Sequence, residues 1–322
     1  MASNHLIIDS SAQEVERALT NFESSTKLNL HPVVRETLAQ TERGSFRVPF
    51  LSSHGSYVFG SVYVPTSAND GKPDLVRISC LASHDASLFL VASESQGVPV
   101  KNELASTLRK VVESADTAGG SVLGVLELVV NELGAHLDVV QSDLAAASYG
   151  VQKAARLSSR RAAAELASCQ SKLRTASGEL VNVEPIVEAM GHISASIAED
   201  KLDLRVDGKG ELFGKNLEIR SQHLADRSRQ LTAAARGASR SLAESQVAFD
   251  AQTSELRIRG NQLLVALATL FLTPVILLNV YSQFLAEGQS WSNEFTANNV
   301  WIVIVAVAVA QAGYFRAKKW LR

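Results

Sequence analysis

The stretch at residues 263–281, LLVALATLFLTPVILLNVY, contains no charged side chain and decides how the rest of the chain is interpreted. A helix needs about 20 mostly apolar residues to cross the hydrocarbon core of a bilayer. The uncharged run around this stretch extends over residues 260–286, which is long for the buried core helix that would be the other interpretation. Pro274 is compatible with a membrane helix, where a neighbouring helix can satisfy the freed carbonyl. We therefore predict a first transmembrane helix over residues 263–284.

A second uncharged run covers residues 295–315. Its core, VWIVIVAVAVAQAGYF at residues 300–315, predicts a second transmembrane helix over 299–315, with an extracytoplasmic loop over 285–298. This segment is shorter and rich in β-branched residues, so a buried core helix is the alternative interpretation.

The charges that flank the two predicted spans set their orientation. Arg257 and Arg259 precede the first span, and the connecting loop holds Glu287 and Glu294 but no Lys or Arg. A basic tail over residues 316–322 follows the second span and carries Arg316, Lys318, Lys319 and Arg322. By the positive-inside rule both termini are cytoplasmic. We predict a multi-pass protein of the cell (inner or plasma) membrane, with lipid as its surroundings.

Composition excludes several other classes of protein. The chain has 322 residues, of which 46 % are hydrophobic and 20 % charged, and its net charge is −2. This composition excludes a disordered chain and a disulfide scaffold, and the charge argues against a nucleic-acid partner. Cys80 and Cys169 lie far apart in sequence, which favours two reduced thiols. No Walker loop, GxSxG or HExxH motif is present, so we expect no enzyme.

The first 100 residues predict a cytoplasmic α+β domain. Leu6, Ile7 and Ile8 fit a short strand, and Ser11 with Glu14 forms a capping box for a helix over residues 12–22. A second helix fits residues 32–41. Short β-branched or aromatic runs separated by turn residues then predict strands over 46–51, 57–64, 75–82 and 87–93.

Residues 101–211 predict a region of long helices, interpreted as a helical hairpin. Apolar residues recur with a helical period at Val122, Leu126, Val129, Leu133, Leu137, Val140 and Leu144. Residues 156–173 are also strongly helix-favouring. Gly208, Gly210 and Gly214 mark a break after this region.

A stalk helix is predicted over residues 212–262, continuous with the first span. Two apolar runs with seven-residue spacing indicate it, at Leu217, Leu224 and Leu231 and then at Leu242, Phe249, Leu256 and Leu263. Continued to residue 281, this helix would be on the order of 100 Å long. Two interpretations of the stripe remain open, which are packing on helices of the same chain and self-association about an axis.

The predicted spans contain no ionisable relay, which disfavours a proton antiporter. Two helices cannot enclose a pore, so any conduction needs a ring of several copies. One neutral face of the first span would line that pore, with Leu272, Val275, Ile276, Asn279 and Gln283. The amide oxygens of Asn279 and Gln283 could hold a hydrated cation through its water shell. Alternatively, the two amides form hydrogen bonds between helices or lie at the level of the lipid headgroups.

Several stretches carry a family resemblance, in the order LIID at residues 6–9, LHPVVRETL at 30–38, YVFGSVYV at 57–64 and SLFLVASES at 87–95. The closest stretches are ATLFLTPVILLNVY at 268–281 and YFRAKKWL at 314–321. Together they resemble the CorA family of divalent-cation transporters. The resemblance implies an α+β cytoplasmic domain, a long stalk helix and two C-terminal transmembrane helices in a funnel-shaped homopentamer, with the long helix lining the axis.

One departure from the family concerns the outer mouth of the pore. After Tyr281 the family has Gly-Met-Asn, whereas this chain has Ser282, Gln283 and Phe284. Phe284 stands at the position of the mouth asparagine and has no group that coordinates water. The resemblance therefore implies a divergent channel for Mg²⁺, Co²⁺, Ni²⁺ or Zn²⁺, or alternatively a non-conducting membrane scaffold or sensor.

The family also binds regulatory metal between cytoplasmic subunits through acidic residues. The candidates implied here are Asp203, Asp207, His223 and Asp226, and a solvated helix face is the other interpretation. Glu132 and His136, four residues apart, are a further pair that could share a metal ion.

Overall fold

The computed structural model describes residues 3–9, 11–39, 48–67, 73–94, 99–202, 204, 211–286 and 297–318. The chain divides into two compact units. The first comprises Met1–Tyr149 and Ser168–Ser245, and the second comprises Gly150–Ala167 and Gln246–Arg322.

The elements follow one another in the order strand, two helices, four strands, five helices. The strands are β1 (Ser3–Ile8), β2 (Phe50–His54), β3 (Tyr57–Ser67), β4 (Pro73–Ala82) and β5 (Ala86–Ser93). The helices are α1 (Ala12–Thr26), α2 (Pro32–Ala39), α3 (Asn102–Glu113), α4 (Ala118–Ala154), α5 (Ser159–Ala198), α6 (Lys215–Ala286) and α7 (Ala297–Ala317).

The five strands form one mixed sheet in the order β1-β5-β4-β3-β2. β1 pairs with β5 in parallel, with Leu6 opposite Phe89, and the other neighbours are antiparallel. The predicted strands exist, but β2 begins at Phe50, later than the predicted residue 46; Val48 and Pro49 are not in a strand. Pro49 has no N–H group to donate to a neighbouring strand.

Side chains alternate between two cores across this sheet, as the two-residue period of a strand requires. Leu88 and Leu90 point to one face, where Val15, Leu19 and Phe22 of α1 and Leu38 of α2 cover them. Phe89 and Val91 point to the other face, where helices α3 to α6 build the larger core. The predicted α+β fold of this domain is therefore confirmed, as one sheet with helices on both faces.

The predicted capping box at the start of α1 is present. The Ser11 side chain accepts from the Glu14 backbone N–H, and Glu14 accepts at 2.8 Å from the Ser11 backbone N–H. These contacts hold the pKa of the Glu14 carboxyl below its usual value. The helix continues four residues beyond the predicted end at residue 22. It ends at Thr26 because Lys27 adopts the left-handed conformation, with φ 55°.

All seven residues of the predicted stripe on α4 are buried, from Val122 to Leu144. α5 begins at Ser159, three residues later than predicted. At the start of α4, a Cβ atom on Gly119 would lie 2.0 Å from the backbone oxygen of Leu212. Only glycine allows this close approach of α4 to the segment that precedes α6.

The predicted long helix is present as α6, which is continuous through Pro274 and starts three residues after the predicted position. In the first unit its stripe packs inside the chain: Leu224 belongs to the larger core, and Leu217 and Leu231 pack against it. Of the two interpretations of this part of the stripe, packing on helices of the same chain is therefore correct. In the second unit burial falls along the stripe, and Leu263 is 41 % exposed.

Both cysteines are buried and neither forms a disulfide. Burial raises the pKa of the Cys80 thiol to about 12, so this group stays protonated at physiological pH.

Candidate functional site

Apolar surface concentrates at the end of α6 and on α7. By length and composition, one stretch within Lys215–Val280 is suited to cross a membrane, and Trp301–Ala317 is a shorter apolar helix. Large apolar side chains point outward on both helices, with Phe271 73 % and Ile302 65 % exposed. Exposure of such a large apolar surface to water is unfavourable. This surface is suited to contact with lipid or with other helices.

α7 packs on one face of α6 within the second unit. The Gln311 side-chain N–H donates to the Thr273 hydroxyl at 2.9 Å, and that hydroxyl donates in turn to the Thr269 carbonyl at 2.8 Å. Ala266 on α6 and Ile304 on α7 are buried. The hydrogen bond between Gln311 and Thr273 therefore links the two helices, a type of contact that is also found between helices in membranes.

The face of α6 predicted to line a pore lies away from α7. Leu272 is 61 % exposed, Val275 60 % and Ile276 52 %, and Asn279 and Gln283 are also exposed. At 3.6 residues per turn, this neutral stripe is centred about 120° around the helix from Ala266 and Thr273. The stripe thus faces away from the contact between Thr273 and Gln311 of α7.

Asn279 and Gln283 lie one turn apart near the end of α6, and the Ser282 hydroxyl donates to the Asn279 carbonyl at 2.8 Å. The Asn279 side chain itself stays exposed. Phe284 is part of α6, but its side chain lies outside what the structure describes. The outer-loop residues Glu287 and Glu294 also lie outside the described residues.

The structure describes two of the four cations predicted for the basic tail. Arg316 and Lys318 are exposed at the end of α7, where the Lys318 backbone N–H donates to the Tyr314 carbonyl. Lys319 and Arg322 lie outside the described residues.

Of the four candidate regulatory metal ligands, His223 and Asp226 lie within the described residues. His223 and Asp226 are exposed on α6, and Asp226 forms an ion pair at 2.7 Å with Arg229. Asp203 and Asp207 lie outside the described residues. Within the described ranges, no group of three or more potential metal ligands is present.

His136 contacts a residue that the sequence analysis did not select. Its Nε2 atom lies 3.8 Å from the Glu179 carboxylate on α5, whereas Glu132, its proposed partner, is exposed. Burial lowers the pKa of His136, and burial together with the nearby Asp143 raises the pKa of Glu179. At neutral pH His136 is therefore uncharged, and this contact is not an ion pair of two full charges.

A cleft of about 900 Å³ lies between α3, the start of α4 and the start of α6. Arg220 crosses its wall and donates two hydrogen bonds to Glu127, at 3.1 and 2.7 Å. This pair is not predictable from sequence, because its members are 93 positions apart. Asp116, Glu211 and Lys215 also line this cleft, so its lining holds three carboxylates and two cations.

No family model and no curated protein sequence matches the chain. Solved structures do. The complete CorA magnesium transporter from Methanocaldococcus jannaschii superposes with a TM-score of 0.64 at 13 % identity, over 99 % of this chain and 90 % of that one. The full-length CmaX protein superposes with a TM-score of 0.58 at 15 % identity, over 93 % and 84 % of the two chains.

A third similar structure is the cytoplasmic domain of ZntB from Vibrio parahaemolyticus, with a TM-score of 0.50 at 8 % identity. It covers 74 % of this chain and 84 % of that domain. At these identities the similarity establishes a fold. The mixed sheet, the long α6 and the apolar C-terminal helices together have a CorA-like fold over nearly the full length of the chain.

Proposed function

We propose that this chain is a divergent CorA-like membrane protein that passes divalent cations, Mg²⁺ or a transition metal, through a pore built from several copies of itself. The observation that carries the proposal is the exposed neutral stripe from Leu272 to Gln283, on a face of α6 that α7 leaves uncovered. The CorA-like fold supplies the context, because the M. jannaschii protein that shares it is a magnesium transporter.

In this proposal α6 and α7 both cross the membrane, with both termini in the cytoplasm and residues 285–298 outside. Residues 1–100 form the α+β domain, 101–211 the helical hairpin region, 212–262 the stalk and 316–322 the basic tail. Arg316, Lys318, Lys319 and Arg322 form a basic ring at the inner membrane face. Five copies surround one axis, and the stripe on α6 faces that axis.

The proposed pore works through neutral groups and an external driving force. Amide oxygens of Asn279 and Gln283, repeated by symmetry, accept hydrogen bonds from the water shell of the cation. The membrane potential supplies about 2.3 kcal/mol per elementary charge per 100 mV, hence roughly 4.6 kcal/mol for a divalent ion. Glu287 and Glu294 would raise the cation concentration at the outer mouth.

A second candidate function is a non-conducting membrane scaffold or sensor. The sequence after Tyr281 favours this function, because Ser282, Gln283 and Phe284 replace the Gly-Met-Asn motif of the CorA family. Such a protein would keep the oligomer and use its α+β domain to bind a partner.

Metal flux into proteoliposomes separates the two functions. Under an inside-negative potential we expect the wild type to take up divalent cations, and Asn279→Leu with Gln283→Leu to lower the rate at least about tenfold, because the ion loses both rings of amide oxygens.

The matched control is Phe271→Ala with Leu278→Ala, which changes two exposed side chains on another face of α6 and is expected to leave the flux unchanged. Equal flux in the wild type and the Asn279/Gln283 variant would remove the pore assignment. An assembled wild type without flux would instead support the scaffold.

A further inference from the structure

A strongly basic segment lies where α4 ends and α5 begins. This hairpin tip, Gly150–Ala167, carries four cations and one carboxylate, although the whole chain has a net charge of −2. The charged residues of the tip are Lys153, Arg156, Arg160, Arg161 and Glu165.

Only one of these cations is neutralised within the tip. Lys153 forms an ion pair with Glu165 at 3.2 Å. Arg156, Arg160 and Arg161 are exposed, and none has a carboxylate within 4.0 Å among the described residues. Three guanidinium groups therefore point to the surroundings with their charge uncompensated.

The opposite side of the hairpin tip is packed. Val151, Ala154, Ala162 and Leu166 are each at most 4 % exposed. The exposed arginines therefore lie on a different side of the tip from its buried apolar face.

The hairpin tip belongs to the same compact unit as the apolar part of α6. Further along, α5 and α6 run antiparallel, with Glu188 3.3 Å from Arg236 and Glu184 3.2 Å from Ser239. If both helices continue straight toward the start of α5, this register would place Arg160 level with Leu263, close to where the uncharged run of α6 begins.

We propose that the hairpin tip binds anionic phospholipid headgroups at the cytoplasmic surface of the membrane. The inference rests on the proposed membrane crossing of α6, but not on conduction. Each cation held at an anionic surface strengthens binding by roughly fivefold. Guanidinium groups suit this ligand, since their planar N–H donors match phosphate oxygens in pairs.

Lipid selectivity measured by electron spin resonance tests the inference. The full-length chain is reconstituted in phosphatidylcholine bilayers with a trace of spin-labelled phosphatidylglycerol or spin-labelled phosphatidylcholine. We expect the wild type to select the anionic label over the neutral one at least about twofold. Arg156→Gln with Arg160→Gln and Arg161→Gln should lower this preference by half or more.

The matched control removes three exposed arginines elsewhere, with Arg174→Gln, Arg227→Gln and Arg240→Gln, and should keep the wild-type preference. If the wild type and the tip variant prefer the anionic label equally, the inference is overturned. Any lipid selectivity would then come from other cations of the chain. If neither spin label shows motionally restricted lipid, the membrane crossing fails and the inference fails with it. Restricted neutral lipid without anionic preference overturns the inference alone.

Discussion

Glu179 is a carboxyl group held in an unfavourable place. It lies on α5 beside His136, and burial together with Asp143 raises its pKa. A raised pKa in the folded state means that the ionised carboxylate is less stable there than in the unfolded chain. The stability that the neutral Glu179 side chain contributes to the fold is fully present below its unfolded pKa, near 4.5. It is lost as the pH rises through the pKa of the folded state, because the carboxyl group then ionises in its buried position.

Replacing Glu179 by Gln should therefore stabilise the protein at pH 7.5, by about 1–3 °C in melting temperature, because the charge is removed while the shape is kept. The gain should shrink toward pH 4.5, where the wild-type carboxyl is itself neutral. Thermal unfolding in detergent at several pH values measures this. Glu132→Gln, on an exposed part of α4, is the control without a gain. A gain that is independent of pH would contradict the charge explanation.

Residue-level features were predictable from sequence where they depend on near neighbours. The capping box needs only Ser11 and Glu14, three positions apart, and it is confirmed. The contact of His136 with Glu179 depends on how α4 packs against α5, so the sequence offered only Glu132, its neighbour one turn away. The uses proposed for Asn279 and Gln283 need facing copies of the chain, and they stay predictions.

At the scale of elements, the backbone at the start of α4 lies very close to the segment that precedes α6. Gly119→Ala would place a Cβ atom 2.0 Å from the Leu212 oxygen, so we expect a loss of stability of roughly 1–3 kcal/mol. Gly178→Ala on α5 is the matched variant, because its Cβ would meet no atom within 4 Å. This second change should stabilise by up to about 1 kcal/mol through helix propensity. Chemical denaturation of both variants measures the difference, and equal effects would contradict the steric explanation.

The polar contact between α6 and α7 makes a further prediction. Thr273→Val and Gln311→Leu each remove one partner of a 2.9 Å hydrogen bond. In a double-mutant cycle on thermal stability we expect a coupling of about 0.6 kcal/mol, the size typical of such bonds in membranes. A coupling of zero would mean that the two helices are held by packing alone.

Helices were predicted more accurately than strands. The seven apolar positions from Val122 to Leu144 share one helix face, and all are buried. A helical period repeated over many turns leaves little ambiguity. The short strand β2 begins later than predicted because Pro49 precedes it, and because strand ends depend on pairing across the sheet. The spacing of apolar residues predicts α6 as one continuous helix, but it does not predict which helices pack against α6.

At the scale of the whole molecule, a single copy leaves too much apolar surface open. Leu272, Val275 and Phe271 are each at least 60 % exposed. In the proposed assembly, lipid covers the side with Phe271 and other copies of the chain cover the stripe with Asn279 and Gln283.

We therefore expect the purified protein to require detergent and to have a protein mass several times the 34.6 kDa of one chain. Light scattering coupled to size-exclusion chromatography measures this mass after subtraction of the detergent. A monomer in mild detergent, or a protein soluble without it, would contradict the proposed assembly.

The burial of both native thiols has a practical consequence for chemical mapping. Cys80 stays protonated up to a pH of about 12 and Cys169 is enclosed, so maleimide reagents should leave the unmodified chain largely unlabelled. A single cysteine introduced at Ser158 or Gln283 would then be the one reactive position. Fluorophores, cross-linkers or accessibility reagents could be attached there without first removing any natural cysteine.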